Sequence, residues 1–386
     1  MSDPRPSAAL RVAVVAETFL PQTNGVTNSV LRTLEHLERH GHEAIVVAPG
    51  PGDDRVGATP VVRVPSVDVP RYGGDLRIGL PARKIAHTLE AFRPDVVHLA
   101  APTVLGAAAA RQARRRGIPV VAVFQTDLAG FAARHGLGRV RGGIWSYLTW
   151  VHAHADITLA PSSPVAWTLR ARGVPDVRIW ARGVDLVRFH PDHRSADLHR
   201  FLAPRGEVVV GYIGRLAREK QVERLAPLAE LDGVRLVVVG DGPERRRLEA
   251  ELAGARFLGF RTGTELSAIH ATLDVFVHTG VDETFCQALQ ESMASGRAVV
   301  APSAGGPLDL VHHRRTGYFW SPEAPESLIG AVDDLVRSPE QRRRLGAAAR
   351  ADVARRPWEA IMSELVGHYR DATGLAGVRR STPRAA

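Results

Sequence analysis

Two carboxylates, Glu283 and Glu291, stand eight positions apart in the stretch His278–Ala301, HTGVDETFCQALQESMASGRAVVA. The apolar run Asp274-Val275-Phe276-Val277 ahead of them predicts a short buried strand. A helix is expected from about Phe285 to Ala294, stopped at Ser295-Gly296. A second strand, Ala298-Val299-Val300-Ala301, closes the unit as strand, loop, helix, strand. Glu283 then sits at the helix entrance and Glu291 about 9–12 Å further along, at roughly 1.5 Å per residue. Between them the free N–H groups of Phe285, Cys286 and Gln287 are expected to face out of the helix N-terminus, a natural anion site. A ligand with hydroxyls at both ends and phosphate in the middle suits this arrangement. A nucleoside diphosphate sugar is such a ligand, with its sugar at Glu283, its phosphates at the helix end and its ribose at Glu291.

A second source of positive charge lies upstream. Gly214-Arg215 follows a strand ending at Ile213, and Lys220 is expected to open the next helix. Arg215 and Lys220 could clamp both phosphates and neutralise charge as the sugar leaves. The bland alternative is two solvated bases at a helix start; Gly214 immediately before them favours the clamp. No Asp-x-Asp pair stands in a suitable loop, so Arg, Lys and helix N-termini are expected to do the work of a metal, and no metal or other cofactor is expected. Gly240-Asp241-Gly242 invites a dinucleotide reading, but Arg245 stands where the third glycine of that fingerprint belongs. His152-Ala153-His154 offers two metal ligands without a third, and is read as structural.

Glu283-x7-Glu291 together with Gly214-Arg215-Leu216-x-x-x-Lys220 resembles the retaining glycosyltransferases of family 4, which have the GT-B fold. Gly240-Asp241-Gly242-Pro243, Phe257-Leu258-Gly259 and Gly305-Gly306-Pro307-Leu308-Asp309-Leu310-Val311 agree with it, and the likeness runs from Arg11 to about Tyr369. Four further phrases resemble the actinobacterial GDP-mannose-dependent α-mannosyltransferases: Ala16-Glu17-Thr18-Phe19-Leu20-Pro21, Asn24-Gly25-Val26-Thr27-Asn28-Ser29-Val30, Phe124-Gln125-Thr126-Asp127 and Arg182-Gly183-Val184-Asp185. The resemblance implies transfer of a hexose, mannose favoured, from GDP-mannose to a hydroxyl of a glycolipid or small molecule. A UDP-glucose- or UDP-GlcNAc-dependent natural-product transferase is the nearest alternative, and an NAD-dependent oxidoreductase the alternative of another class.

The resemblance also assigns an acceptor side. The Asn24-Gly25 loop, ahead of a helix expected near Thr27, touches the diphosphate and shapes the acceptor site in the resembled family; Gly25 lets backbone approach the ligand. Gln125 stands where many relatives carry His, and Gln cannot act as a general base. Asp127 is then the nearest group to deprotonate or position the acceptor hydroxyl, with an N-cap role as its equal competitor. Arg182 replaces an Asn of many relatives and is expected to reach the donor phosphate or sugar. Leu258 and Phe260 follow a strand and are expected near the base, without distinguishing guanine from uracil. His98 and His278 end strands and either line the cleft or simply pack.

The elements that must hold these groups form two series of short apolar strands alternating with helices. The first runs from Val12-Ala13-Val14-Val15 to Val177-Arg178-Ile179-Trp180, the second from Val208–Ile213 to Val299-Val300. The expected class is α/β: two Rossmann-like doubly wound domains facing a central cleft at the C-terminal edges of their strands. The expected domains are 1–187 on the acceptor side, 188–360 for the nucleotide sugar, and 361–386 as a helix crossing back, plus a tail. Asp185 to Arg205 reads as a polar linker, and Pro339 to Arg370 as helical with a break near Pro357-Trp358.

Composition bounds the rest. No run of eighteen apolar residues is present, and MSDPRPSAAL lacks a signal-peptide core. A single cysteine excludes an internal disulfide framework and fits a cytoplasmic enzyme. The net charge of +9 fits anionic substrates or the anionic inner face of a membrane, whereas no nucleic-acid-binding motif appears. Arg134 to Trp150, with Arg139, Arg141, Trp145, Tyr147 and Trp150, is the stretch that could make such a peripheral contact; a core helix behind a basic loop is the competing reading.

Overall fold

In the computed structural model the described residues are 9–68, 77–80, 83–125, 128, 130 and 138–381. They form two compact units. One comprises residues 1–161, 166–181 and 361–386; the other comprises 162–165 and 182–360.

The first unit is built on an eight-stranded sheet in the order β10-β9-β8-β7-β1-β2-β4-β3. Its strands are β1 (Arg11–Ala16), β2 (Glu43–Pro49), β3 (Arg55–Val56), β4 (Thr59–Val64), β7 (Val96–Ala100), β8 (Val120–Val123), β9 (Ile157–Ala160) and β10 (Val177–Ile179). All pair in parallel except β3 with β4. The runs are apolar without alternation because helices cover both faces of a parallel sheet; β7, VVHLA, is buried at every position. β5 (Ser66–Asp68) and β6 (Arg77–Gly79) form a separate antiparallel ribbon. Neither these two strands nor β3 carries a pattern that marks it in the sequence.

The second unit has a six-stranded parallel sheet in the order β13-β12-β11-β14-β15-β16. Its strands are β11 (Val208–Ile213), β12 (Val234–Val239), β13 (Arg256–Gly259), β14 (Val275–Val277), β15 (Ala298–Pro302) and β16 (Tyr318–Trp320). The strand order reverses at β11, which pairs β12 on one side and β14 on the other. Ligands of open α/β sheets bind beyond the carboxyl ends of strands at such a reversal. Gly214-Arg215 follows β11 and the His278–Glu283 loop follows β14, so the two stretches singled out by their chemistry emerge side by side at that place.

The stretch expected to be a linker is structured and belongs to the second unit. Val184 bridges to Pro357, Pro191–His193 makes a 3₁₀ turn, and Ala196–Leu202 is a helix capped by the Ser195 hydroxyl. Its polar composition reflects capping residues rather than a free connection. The helices Pro339–Val353 and Trp358–Ser381 flank the break foreseen at Pro357.

From Ile361 onward the last helix packs into the first unit. The Trp180 indole donates to the Ile361 carbonyl at 2.9 Å. The fully buried Tyr369 hydroxyl lies 2.9 Å from Nδ1 of His98, itself only 2% exposed. Burial lowers the His98 pKa to about 4, so the ring is neutral and accepts the hydroxyl proton. His98 therefore anchors the terminal helix beneath β7. Tyr369→Phe leaves a buried ring nitrogen unpaired and is expected to cost about 1–3 kcal/mol, read as a lower urea midpoint at unchanged slope.

Candidate active site

The order reversal of the second sheet gathers a cluster of buried charge. β14 delivers His278 and the following loop delivers Glu283, while the turn after β11 delivers Lys220. Lys220 does not open a helix: it ends the 3₁₀ turn Arg218–Lys220, and Gln221 after it adopts a left-handed φ of 50°. Its ammonium lies 2.5 Å from Glu283 Oε1, and Nε2 of His278 lies 3.0 Å from the same oxygen. The Glu283 and Lys220 side chains are 15% and 24% exposed, and that of His278 4%. Burial works to raise the Glu283 pKa, but Lys220 and His278 overcome it and hold the carboxyl well below its usual range. Burial opposes charge on Lys220 too, and Glu283 more than offsets it. His278 stays above the usual histidine range against its burial, because Cys286 and Glu283 lie beside it.

The surrounding backbone fixes this cluster. The Thr279 hydroxyl donates to the Lys220 carbonyl at 2.7 Å, and the Trp320 indole donates to the His278 carbonyl at 3.0 Å. Tyr212, fully buried in β11, stacks on His278 at 6.2 Å and donates its hydroxyl to the Arg215 carbonyl. Gly306 N–H donates to the Glu283 carbonyl at 2.7 Å, and a Cβ at Gly305 or Gly306 would strike the backbone of Glu283 or Phe285. The Gly240-Asp241-Gly242 loop is explained in the same way: a Cβ at Gly240 or Gly242 would collide with the carbonyls of Gly214 or Leu216. Those glycines let two loops cross, a packing role that accounts for them without a dinucleotide.

The helix after Glu283 runs from Gln287 to Ala294, two residues later than expected. Cys286 is its N-cap at φ 102°, a left-handed conformation that ends the helical path before Phe285. With Cys286 as N-cap, the first-turn N–H groups of this helix include those of Gln287, Ala288 and Leu289, a set shifted along from the expected Phe285, Cys286 and Gln287. Phe285 and Cys286 are buried, at 3% and 6% exposure.

Glu291 projects from that helix into a different environment. Burial raises its pKa to about 8 against a hydrogen bond from Gln287 and the charges of Arg188 and Arg182, with Asp185 adding to the rise. Burial lowers the Arg182 pKa to about 10, while Glu283 and Glu291 both work to raise it. Arg182 thus stands in the field of both acids. Its backbone is tied to the same helix: Gln290 donates to the Arg182 carbonyl and Gln287 to the Gly183 carbonyl, at 3.0 and 3.1 Å. One carboxyl is held ionised and the other keeps its proton near neutrality, so the pair is differentiated by environment alone.

The other expected donor groups are nearby in chain terms. Gly214 N–H pairs with the Val239 carbonyl, and the exposed Arg215 follows it. Leu258 lies half-buried within β13, and Phe260, just past the end of that strand, is 69% exposed. On the first unit, Asn24 is the N-cap of the helix Gly25–Arg39: its side-chain oxygen accepts from Val26 and Thr27 N–H at 3.0 Å each. Gly25 is exposed at the first helical position, two residues earlier than expected. Gln125 follows β8 at 8% exposure. Asp127 lies outside the described residues, as does Arg134.

The histidines divide cleanly. His278 belongs to the charge cluster, whereas His98 packs against the last helix. His152 is buried with its ring 3.3 Å from the Thr158 hydroxyl, and His154 is half-buried on the Trp150 carbonyl, so they share no ligand position. On the helix Arg141–His152, Trp145 is buried against Phe124 and under the Arg172 guanidinium, while Tyr147 and Trp150 are 39% and 37% exposed. No helix among the described residues is long and apolar enough to cross a membrane. Tyr212, Trp320 and Arg188 escaped the sequence reading, since nothing in their spacing sets them apart from core or loop residues, and Asp185 entered it only as part of a motif phrase and as the start of the expected linker.

Comparison with known proteins gives this geometry its family. Residues 23–188 match Glycosyltransferase Family 4 and residues 194–352 match Glycosyl transferases group 1. The chain is 47% identical to a GDP-mannose-dependent alpha-mannosyltransferase of Mycobacterium tuberculosis, over 97% of this chain and 99% of the relative. It is likewise 47% identical to a protein of the same description from Mycolicibacterium smegmatis, over 96% and 100%. Among solved structures, Anabaena Alr3699/HepE in complex with UDP superposes with a TM-score of 0.74 at 18% identity, covering 94% of this chain and 100% of that one. The likeness in fold extends over both Rossmann-like units and the likeness in sequence over nearly the whole length: the chain belongs to glycosyltransferase family 4, has the GT-B fold, and is a hexosyltransferase.

Proposed function

We propose that the protein transfers mannose from GDP-mannose to an acceptor hydroxyl with retention of anomeric configuration and without a metal ion. The observation that carries the reading is the ionised Glu283 held between Lys220 and His278 at the carboxyl ends of β11 and β14. A fixed carboxylate there accepts hydrogen bonds from sugar hydroxyls. The ammonium on the same oxygen stands where charge grows on the departing phosphate, and a preorganised cation in a partly desolvated site stabilises that charge without reorganising. Arg215 and Arg182 supply further positive charge, and the free N–H groups of Gln287, Ala288 and Leu289 face the pyrophosphate. Glu291 takes the ribose. Leu258 and Phe260 flank the base.

In the reaction the bond from the sugar's anomeric carbon to the phosphate oxygen breaks. The acceptor oxygen bonds to that carbon on the same face, and the acceptor proton passes to the leaving phosphate. No strong protein base is needed, which fits a chain with Gln125 where many family members have His. Asp127 positions the acceptor hydroxyl in this reading. The relatives' description as GDP-mannose-dependent supports the donor. The acceptor class we infer is a glycolipid or small hydroxylated molecule, met in the cytoplasm or at the inner membrane face, with the exposed Tyr147 and Trp150 as the surface for peripheral contact.

His278, Glu283 and Cys286 place their potential ligand atoms within 4.8 Å of one another. The Lys220 ammonium already occupies Oε1 of Glu283, so the cationic position at that oxygen is filled by the chain itself. This supports a reading of metal-free transfer: activity after exhaustive EDTA treatment is expected to match the untreated enzyme, and loss restored by Mg²⁺ would overturn it.

Glu291→Ala is expected to raise donor KM about tenfold with kcat nearly held, and Glu283→Gln to lower kcat about a hundredfold or more. Wild-type kinetics in both variants, with folding verified by thermal melts, would reject the assignment. The donor itself is tested by thermal shift with GDP-mannose, UDP-glucose, UDP-GlcNAc and an ADP-sugar. A ligand at a hundred times its Kd adds about 2.7 kcal/mol of apparent stability. The largest rise is expected with GDP-mannose; a larger rise with a UDP-sugar would favour the natural-product alternative.

A further inference from the structure

Beneath Glu291 lies a histidine that neither the motifs nor the reaction above uses. His270, on the helix Gly263–Thr272, is fully buried. Its Nδ1 lies 2.8 Å from the Ser292 hydroxyl, one residue along from Glu291. Its Nε2 is buried with no hydrogen-bond partner and lies 3.6 Å from Glu291 Oε2. The ring is held in orientation by Phe189, edge-on at 5.2 Å, and by Phe276, stacked at 6.3 Å. A buried polar atom without a partner is costly, and native structures seldom keep one without a use.

Burial lowers the His270 pKa to about 3, so the ring is neutral and carries one proton. In the tautomer that puts both nitrogens to use, the Ser292 hydroxyl donates to Nδ1 and the ring proton sits on Nε2, facing Glu291. At 3.6 Å this is not yet a hydrogen bond. A side-chain shift of well under 1 Å closes it, and contacts of this kind tighten when a site fills.

We propose that His270 is a positioning residue for Glu291: its Nε2–H takes one carboxyl oxygen when the ligand binds and aims the other at the ribose hydroxyls. This rests on the reading that Glu291 takes the ribose. The groups around Glu291 divide the work. Arg182 and Arg188 supply positive charge, Asp185 opposes it, Gln287 donates from the same helix, and His270 alone approaches as a neutral donor with a fixed ring plane. A neutral donor orients the carboxylate without competing as a counter-charge for the nearby pyrophosphate.

The test compares binding of GDP with that of 2′,3′-dideoxy-GDP by calorimetry in wild type, His270→Phe and His270→Gln. Wild type is expected to favour GDP about tenfold or more, the size of a hydrogen bond to a charged group. His270→Phe keeps the ring volume and is expected to reduce that preference to about twofold, with donor KM raised and kcat held. His270→Gln returns an N–H at similar reach and is expected to restore most of the preference. If wild type does not distinguish the two nucleotides, Glu291 does not read the ribose and that assignment fails first. If wild type distinguishes them and His270→Phe does so equally, His270 does not position Glu291. A drop in Tm shared by both variants, with the preference lost equally in both, makes His270 a packing residue and overturns the proposal.

Discussion

The ion pair between Lys220 and Glu283 is the constraint on which the rest of the second unit's site depends. Removing one member of a buried pair strands the other, at about 3–5 kcal/mol. The pair also joins two chain segments that are 63 residues apart and meet only because the sheet order reverses at β11. The surroundings serve that meeting. Tyr212 ties His278 to the turn after β11, Thr279 ties the loop to the Lys220 backbone, and the glycines at 305 and 306 let a third loop lie against Glu283. Small residues at the crossings and a large aromatic beneath them leave the pair little room to relax.

Environment divides the labour between the two acids. Glu283 meets two cationic side chains at contact distance and stays ionised; at Glu291 burial outweighs the Gln287 hydrogen bond and the charges of Arg188 and Arg182, so it keeps its proton up to about pH 8. In the proposed reaction the first is a ready acceptor for sugar hydroxyls. The second would become a good acceptor only as ligand and neighbours reorganise around it, so the groups that orient it would share in the recognition. Identical side chains on one short motif thus come to different states, through neighbours that the motif does not contain.

Much of this was legible in the chain. The parallel strands announced themselves as uninterrupted apolar runs, and the chemistry-bearing residues all followed strand ends, so the strand order alone brought Gly214-Arg215 and Glu283 together. What escaped has physical reasons. β16, three residues long, pairs at the sheet edge and has too few positions to show a pattern. The supposed linker was polar because its residues cap turns and a helix. His98 and His278 are both expected at strand ends with apolar neighbours; His98 instead lies in the middle of β7, His278 just past β14, and only the partner decides between anchor and charge cluster: a tyrosine hydroxyl from the last helix for one, a carboxylate for the other. Asn24 carried a family signature, yet its side chain is committed to capping a helix.

The displaced start of the Gln287–Ala294 helix shows why composition misled most at the point of interest. Phe285 and Cys286 are apolar and continue the helical period backwards, so periodicity assigns them to the helix. The backbone breaks there instead, with Cys286 in a left-handed conformation costing of order 1–3 kcal/mol for a residue with a side chain. Such strain persists only where the surroundings over-determine it, and they do: Gly306 packs on the Phe285 backbone while its N–H holds the Glu283 carbonyl. A helix continued back to Phe285 would wind Glu283 toward its own first turn and away from Lys220. The kink at Cys286 therefore uncouples the carboxylate from the helix that carries Glu291. It lets one acid answer to the cations at the sheet reversal while the other answers to the helix and to His270.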